Sequence, residues 1–332
     1  MLFSCGSKSS FVESDHCDGR CFFNNDHTAR KNPSLYDVIN WKIKEPAADW
    51  PISIENTDVP ELPEVVHEGE AFITLINHAT ELIHIADLTL LTDPIFSKRA
   101  SGFSWIGPKR VRPPAASISA LPKVDVVLIS HNHYDHMDIP SLKEIEKIWQ
   151  PLFIVPLGNK KTLFRQGIKR VVELDWWEEY RLDSKNSIVM TPAQHWSGRG
   201  LFDHRKSLWG SFVIFSEKIK IFFGGDTGYS SHFKEIKNRY GKMDISLLPI
   251  GAFAPRWFMK QNHMNPEEAV QAYLDLESEY GLGMHYETFH LANESIDEPV
   301  KLLQEHLETL PEGRIKSFDA QITGKTMHYK VL

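Results

Sequence analysis

The stretch Val124-Asp125-Val126-Val127-Leu128-Ile129-Ser130, continued by His131-Asn132-His133-Tyr134-Asp135-His136, decides how this chain is read. Its first half is a short, mostly apolar run, the pattern of a strand buried on both faces. Its second half places three histidines and a carboxylate within six residues. A loop at the end of a buried strand holds such groups rigidly while keeping them accessible. Imidazole nitrogen and carboxylate oxygen both suit zinc, at about 2.0–2.2 Å. A lone histidine is usually a surface or hydrogen-bonded residue. Three together with an aspartate at the end of an apolar strand point to a bound metal.

Outward from this segment the chain alternates strand-like and helical runs. Residues 71–76 and 81–91 read as two strands around a turn at Asn77-His78-Ala79-Thr80, a hairpin pattern. Further strands are expected at residues 124–130, 153–156, 170–174, 187–191, 211–216, 220–223, 245–248 and around 325–331. Helical patterns cover residues 141–149, 160–166, 232–240, 266–280 and 299–310. In the fourth of these, Asn265 suits the N-cap and Pro266 the first helical position, while Glu267 and Glu268 complement the helix dipole. Strand-rich halves with interspersed helices predict an α/β layered sandwich, with two sheets packed together and helices outside.

The first 65 residues have a different texture. They are rich in Asn, Asp, Ser and Pro with isolated aromatics such as Phe22, Phe23, Trp41 and Trp50, which predicts an irregular arm (residues 1–65) on a catalytic domain of residues 66–332. All three cysteines, Cys5, Cys17 and Cys21, fall in this region, so the rest of the chain has neither a disulfide nor a thiolate ligand. Cys17 and Cys21 could pair or stay as small apolar residues. Leu2-Phe3-Ser4-Cys5 looks like the end of a lipoprotein signal, but no charged and apolar leader precedes it, and a plain N-terminus is the stronger expectation. With 332 residues, 42% hydrophobic and 24% charged, the composition is that of a soluble globular chain. No window approaches the roughly eighteen apolar residues of a membrane-spanning helix. A formal charge of −7 argues against a generally basic nucleic-acid binder, so no nucleic-acid partner is expected.

The His-x-His-x-Asp-His pattern resembles the hallmark of the metallo-β-lactamase superfamily. That resemblance implies an αββα sandwich and a two-metal site, with further ligands at later strand ends. His195 follows one strand-like run, Asp226 follows Ile221-Phe222-Phe223-Gly224-Gly225, and His285 lies in Gly283-Met284-His285-Tyr286. The two glycines would allow close backbone approach. By the resemblance, His131, His133 and His195 hold one ion, Asp135, His136 and His285 hold the second, and Asp226 bridges them. Two Zn2+ ions are the first choice, and the ligand types leave iron or manganese open.

The likeness narrows to N-acyl-phosphatidylethanolamine-hydrolysing phospholipase D and its bacterial relatives. It rests on Thr92-Asp93-Pro94-Ile95-Phe96-Ser97, Glu173-Leu174-Asp175-Trp176-Trp177-Glu178, Leu208-Trp209-Gly210-Ser211, Gly225-Asp226-Thr227-Gly228-Tyr229 and Pro255-Arg256-Trp257-Phe258-Met259-Lys260, and runs from about Glu70 to Leu307. It implies hydrolysis of N-acyl-phosphatidylethanolamine to N-acylethanolamine and phosphatidic acid by a metal-bridging hydroxide, with Asp135 and Asp226 as the catalytic carboxylates. It also suggests a homodimer. The alternative is a hydrolase of the same fold acting on another phosphodiester or a lactone. His263 is a candidate near the site, His78 a residue behind the metals, and Trp257 and Tyr286 candidate pocket walls. Tyr286 stands where the animal enzymes have tryptophan, which puts the acyl preference in question. Lys98, Arg99, Lys109, Arg110 and Arg112, interleaved with Phe103 and Trp105, form a basic and aromatic patch suited to anionic headgroups. The expected partner is therefore a phospholipid met by peripheral membrane contact, with the cytoplasmic or periplasmic side left open.

Overall fold

The computed structural model describes residues 11–25, 40–41, 45–63 and 65–331. Six strands begin the first sheet: β1 (Glu70–Asn77), β2 (Thr80–Ile85), β3 (Leu88–Thr92), β4 (Val126–Leu128), β5 (Leu152–Pro156) and β6 (Val171–Leu174). The second sheet comprises β7 (Glu179–Arg181), β8 (Asn186–Thr191), β9 (Ser211–Ser216), β10 (Ile219–Phe223), β11 (Ile245–Pro249), β12 (Tyr280–Met284) and β13 (Ser317–Ala320). The last strand, β14 (Thr326–Lys330), returns to the free edge of β1. The spatial orders are β14-β1-β2-β3-β4-β5-β6 and β13-β12-β11-β10-β9-β8-β7. Each sheet is antiparallel on one side and parallel on the other, the switch falling at β3 and at β10. The helices are α1 (Ile139–Trp149), α2 (Lys160–Arg165), α3 (His232–Tyr240), α4 (Arg256–Met259), α5 (Pro266–Asp275) and α6 (Glu298–Glu308).

Strand alternation explains the layers. Successive side chains of a strand point to opposite faces. Val126 and Leu128 enter the core between the sheets, meeting Phe212, Ile214, Phe223 and Leu247 of the second sheet. Val127 and Ile129 face the other way, against Leu142 and Ile145 of α1. The second sheet repeats the arrangement outward, with Val213, Phe222 and Leu248 packed on Phe233 and Ile236 of α3 and on Val270 and Tyr273 of α5. The result is the expected helix–sheet–sheet–helix sandwich. Truncating a fully buried leucine such as Leu142 to alanine should cost about 2–5 kcal/mol.

Several boundaries differ from the sequence expectation. The run expected as one strand over residues 81–91 is two strands, β2 and β3, turning at Ala86 with a positive φ of 46°. The helix expected over residues 266–280 stops at Asp275, and its tail begins β12 instead. Its start is as expected: the Asn265 side chain accepts from Glu268 N at 3.0 Å in a capping box, with Pro266 at the first helical position. Strands β7 and β13 were not foreseen.

The described part of the first 65 residues adheres to the domain. Phe22 is buried in the core between the sheets, Trp41 packs with Ala252, Met259 and Ala292, and the Trp50 indole donates to Glu294 O at 2.9 Å. Cys17 is free and buried, so it does not pair with Cys21. Cys5, with its lipidation question, lies outside the described residues.

The two sheets are joined tightly at one end. Gly225 has φ +56°, and a Cβ there would collide with the Ser130 side chain, so the glycine permits the contact between the ends of β4 and β10. At the opposite end a cleft of about 370 Å³ separates the sheets, lined among others by Gly69, Asp87, Lys185 and Glu217.

Candidate metal centre

Every candidate ligand sits just beyond the C-terminal end of a strand, the edge where open α/β sheets place their ligands. The loop after β4 carries His131, His133, Asp135 and His136. His195 lies four residues beyond β8, Asp226 follows β10, and His285 follows β12. The structure brings all seven together, although they span 155 positions from His131 to His285.

The seven fall into two groups. In the first, His131 Nε2 and His195 Nε2 lie 2.7 and 3.2 Å from His133 Nδ1. In the second, His136 Nε2 and His285 Nε2 are 3.2 Å apart, and they lie 3.4 and 3.7 Å from Asp135 Oδ2. Asp226 reaches both: its Oδ2 is 3.9 Å from His131 Nε2, 3.8 Å from His195 Nε2 and 3.2 Å from His136 Nε2, while Oδ1 is 3.0 Å from His285 Nε2.

The far nitrogens of three of the five rings are anchored, while those of His133 and His285 have no hydrogen-bond partner among the described residues. His131 Nδ1 meets Ser130 Oγ at 2.9 Å, and His195 Nδ1 meets the Asn262 carbonyl at 3.0 Å. His136 Nδ1 meets Asp93 Oδ2 at 2.7 Å. Asp93 also accepts the Ser130 amide at 2.7 Å and the Ser130 hydroxyl at 2.5 Å. These partners fix ring orientation and tautomer, leaving the inner nitrogens to converge on one space.

Electrostatics separates the groups. Burial, reinforced by the neighbouring imidazoles, pushes His131 and His195 well below the ordinary histidine value. Burial likewise brings His133 down to about 4, against the pull of Asp135 and Asp226. In the second group burial also opposes charge, but the carboxylates prevail. Asp226, Asp135 and Asp93 raise His136 well above the usual range, and Asp226 and Asp135 raise His285 to about 9. Asp135 and Asp226 are held well below the carboxylate range: burial resists this, and the surrounding imidazoliums overcome it.

This donor set fits divalent metal. Tetrahedral ligand atoms about 2.1 Å from one ion lie roughly 3.4 Å apart, close to the spacings seen here. Buried imidazoles whose nitrogens face each other without an acceptor between them are otherwise costly. Nitrogen and oxygen donors are the only types present.

The remaining sequence candidates are placed as follows. His78 is buried on the β1–β2 turn, with Nε2 3.1 Å from Asp135 Oδ2 and its ring 3.9 Å from that of His285. It joins Asp135, His136 and His285 in one potential metal-holding group. His263 lies beside the cluster, its Nδ1 3.9 Å from Asp226 Oδ2 and without a hydrogen-bond partner. Tyr286 turns away into the helix-side core, where its phenol donates to the Gln321 carbonyl. Trp257 is half exposed and donates to Glu45 Oε1 at 2.7 Å, among the described residues making no contact with the cluster. The aromatic ring that packs on the cluster is instead Trp196, 4.2 Å from the His133 ring. The basic patch also shrinks. The Arg110 guanidinium is bonded to the Ser97 and Ile95 carbonyls and to Asn77, and Arg112 pairs with Glu287 at 2.8 Å. Lys98 and Lys109 remain exposed. Sequence reading missed Asp93, Ser130, Asn262 and Asn24 as parts of the centre. Only Asp93 carried a signal, as an acid at a strand end in the Thr92-Asp93-Pro94 motif.

Comparison with known proteins agrees with this architecture. The Beta-lactamase superfamily domain matches residues 89–286, more than half of the chain. The isothiocyanate hydrolase from Delia radicum gut bacteria superposes with a TM-score of 0.63 at 20% identity, covering 79% of this chain and 100% of that one. The metallo hydrolase Igni18 from Ignicoccus hospitalis does so at 0.59 and 20%, with the same coverage. The chain is thus a metal-dependent hydrolase of the metallo-β-lactamase superfamily. Closer likenesses are to N-acyl-phosphatidylethanolamine-hydrolyzing phospholipase D 1 of Caenorhabditis elegans, 37% identical over 76% of this chain and 74% of that protein, and to an uncharacterized protein of Mycobacterium tuberculosis, 39% identical over 80% and 70%. The mitochondrial N-acyl-phosphatidylethanolamine-hydrolyzing phospholipase D of Saccharomyces cerevisiae is 38% identical over 86% of this chain and 62% of its own length. Within the superfamily, this chain belongs to the N-acyl-phosphatidylethanolamine-hydrolysing phospholipase D family.

Proposed function

We propose that the protein is a zinc-dependent phospholipase D that cleaves the headgroup phosphodiester of N-acyl-phosphatidylethanolamine, releasing N-acylethanolamine and phosphatidic acid. The observation that carries the reading is the convergence of seven nitrogen and oxygen donors, in two groups sharing Asp226, in a chain whose relatives are named for this reaction. His131, His133 and His195 would hold one Zn2+, Asp135, His136 and His285 the other, with Asp226 between them. Such a pair lowers the pKa of water and neutralises charge on a phosphoryl oxygen. The chain's own residues do the rest. Asp135 and Asp226, kept ionised by their imidazole neighbours, are the carboxylates that would hold and orient the attacking water. His263, with an unsatisfied ring nitrogen 3.9 Å from Asp226 and in a potential metal-holding group with Asp226 and His195, is one polar group that would meet the phosphodiester.

The rim suits a lipid substrate. Gly102 and the Arg199 carbonyl both approach the Tyr134 hydroxyl, so the loops around residues 101–106 and 199–203 meet over the residue between His133 and Asp135. Those loops expose Phe103 (60%), Trp105 (72%), Leu201 (81%) and Phe202 (76%), with Lys98 and Lys109 exposed nearby. Aromatic and apolar side chains of this kind partition to the water–lipid boundary, which supports peripheral membrane contact. Among the described residues no helix is long and apolar enough to cross a membrane.

The test is metal-replete protein with N-acyl-phosphatidylethanolamine in mixed micelles. Release of both products is expected. No product overturns the reading, and faster hydrolysis of soluble diesters or lactones favours a different substrate for the same centre.

A further inference from the structure

The segment of residues 11–25 precedes the matched superfamily domain, yet it reaches the metal centre. Asn24 is buried, and its side chain clasps the main chain of His195 from both sides. The Asn24 amide nitrogen donates to His195 O at 3.1 Å, and Asn24 Oδ1 accepts from His195 N at 3.1 Å. The same Oδ1 accepts from the Trp209 indole at 3.0 Å. His195 lies beyond the end of β8, one residue past the isolated bridge between Gln194 and Gly228. Among the described residues nothing else bonds its backbone. Asn24 thus imitates a neighbouring strand for one residue.

The segment that presents Asn24 is itself pinned. Phe22 is buried in the core and its amide donates to the Arg205 carbonyl at 2.9 Å. His16 lies between Asp15 and Asp175, at 2.6 and 2.8 Å, and stacks on Trp176 at 4.4 Å. The Trp176 indole in turn donates to Trp209 O at 2.6 Å, closing a path back to Asn24.

We propose that Asn24 is a positioning residue for the His131–His133–His195 half of the centre, and that residues 11–25 belong functionally to that half although they lie outside the matched domain. The inference rests on the reading that these histidines are metal ligands. It does not depend on the substrate. The other half, on Asp135, His136 and His285, has no contact with Asn24, so the effect is confined to one ion. A group orienting a ligand from behind typically contributes ten- to a hundredfold in metal affinity.

The test is zinc titration against a chromophoric chelator in two backgrounds. His285→Ala leaves the three-histidine half intact, and His133→Ala leaves the other. Asn24→Ala should weaken zinc roughly ten- to a hundredfold in the first background and leave the second unchanged. Equal weakening in both, or none in either, overturns the proposal. Unmodified protein that binds no zinc sinks the ligand assignment and this proposal with it, whereas normal zinc binding without lipid hydrolysis sinks only the proposed substrate. If Asn24→Ala does not fold, Asn24→Asp carries the same two readings, because it keeps both accepted hydrogen bonds and loses the donated one.

Discussion

The two halves of the centre hold their rings by different means. In the three-histidine half, burial strips the rings of charge, and neutral partners, the Ser130 hydroxyl and the Asn262 carbonyl, aim two of them. In the other half, carboxylates dominate: Asp135 and Asp226 face the inner nitrogens, and Asp93 grips His136 from behind. The first half is therefore preformed by geometry, the second by charge. Asp226 is the group common to both. The contrast teaches that equal donor counts do not make equal sites, and that substitutions behind the rings should act on the halves unequally.

Substitutions can break that contrast. The largest effect belongs to the shared group. Asp226→Asn should lower turnover on the order of a thousandfold, and chelation should abolish it, both followed by product release. Asp93→Asn should come next. Weakening of zinc by roughly ten- to a hundredfold is expected at the charge-built half, with a lesser loss at the other. Equal losses in separate titrations would show that the halves are not independently supported. Ser130→Ala removes one hydroxyl that meets both His131 and Asp93, a change of about 1 kcal/mol or roughly fivefold, read as zinc affinity of the three-histidine half, with a smaller loss at the half that Asp93 supports.

Smallest for the site itself should be Glu81→Gln, which sharpens the comparison as a buried carboxyl outside both halves. Burial pushes the Glu81 carboxyl up to about 8, against a hydrogen bond from Gln321 at 2.5 Å. A raised folded pKa means that the unfolded chain releases this proton first, from about pH 4.3 upward. Stability from the protonated group is thus complete below that pH and declines until about pH 8. The variant should leave zinc affinity alone and raise Tm near pH 8 by more than near pH 4.5, as thermal melts at the two pH values will show.

The sequence carried the centre further than the elements around it. His131 to His136 are contiguous, His195 and Asp226 each follow a strand-like run, and His285 was singled out by family likeness alone. Asn24, Asn262 and Ser130 act through side-chain or carbonyl bonds to residues far along the chain or through an ordinary hydroxyl, and no spacing advertises such roles. The element boundaries failed for a local reason. Chain reversals at Ala86 and Glu277 use left-handed backbone, with φ of 46° and 49°, at residues that give no glycine or asparagine signal. Without that punctuation, two strands read as one and a helix seemed to run into β12.

The contact of Gly225 with Ser130 at one end, and the polar cleft at the other, give the sandwich the build of a bound book. Its spine runs along the metal edge, and its pages part at the far margin near Gly69 and Lys185. Thermal breathing should begin at that margin, where solvent already enters, so amide exchange would start there while the spine stays shut. Prising the spine apart would scatter candidate ligands contributed by both sheets, so metal held there would act as the last fastening that global unfolding must undo.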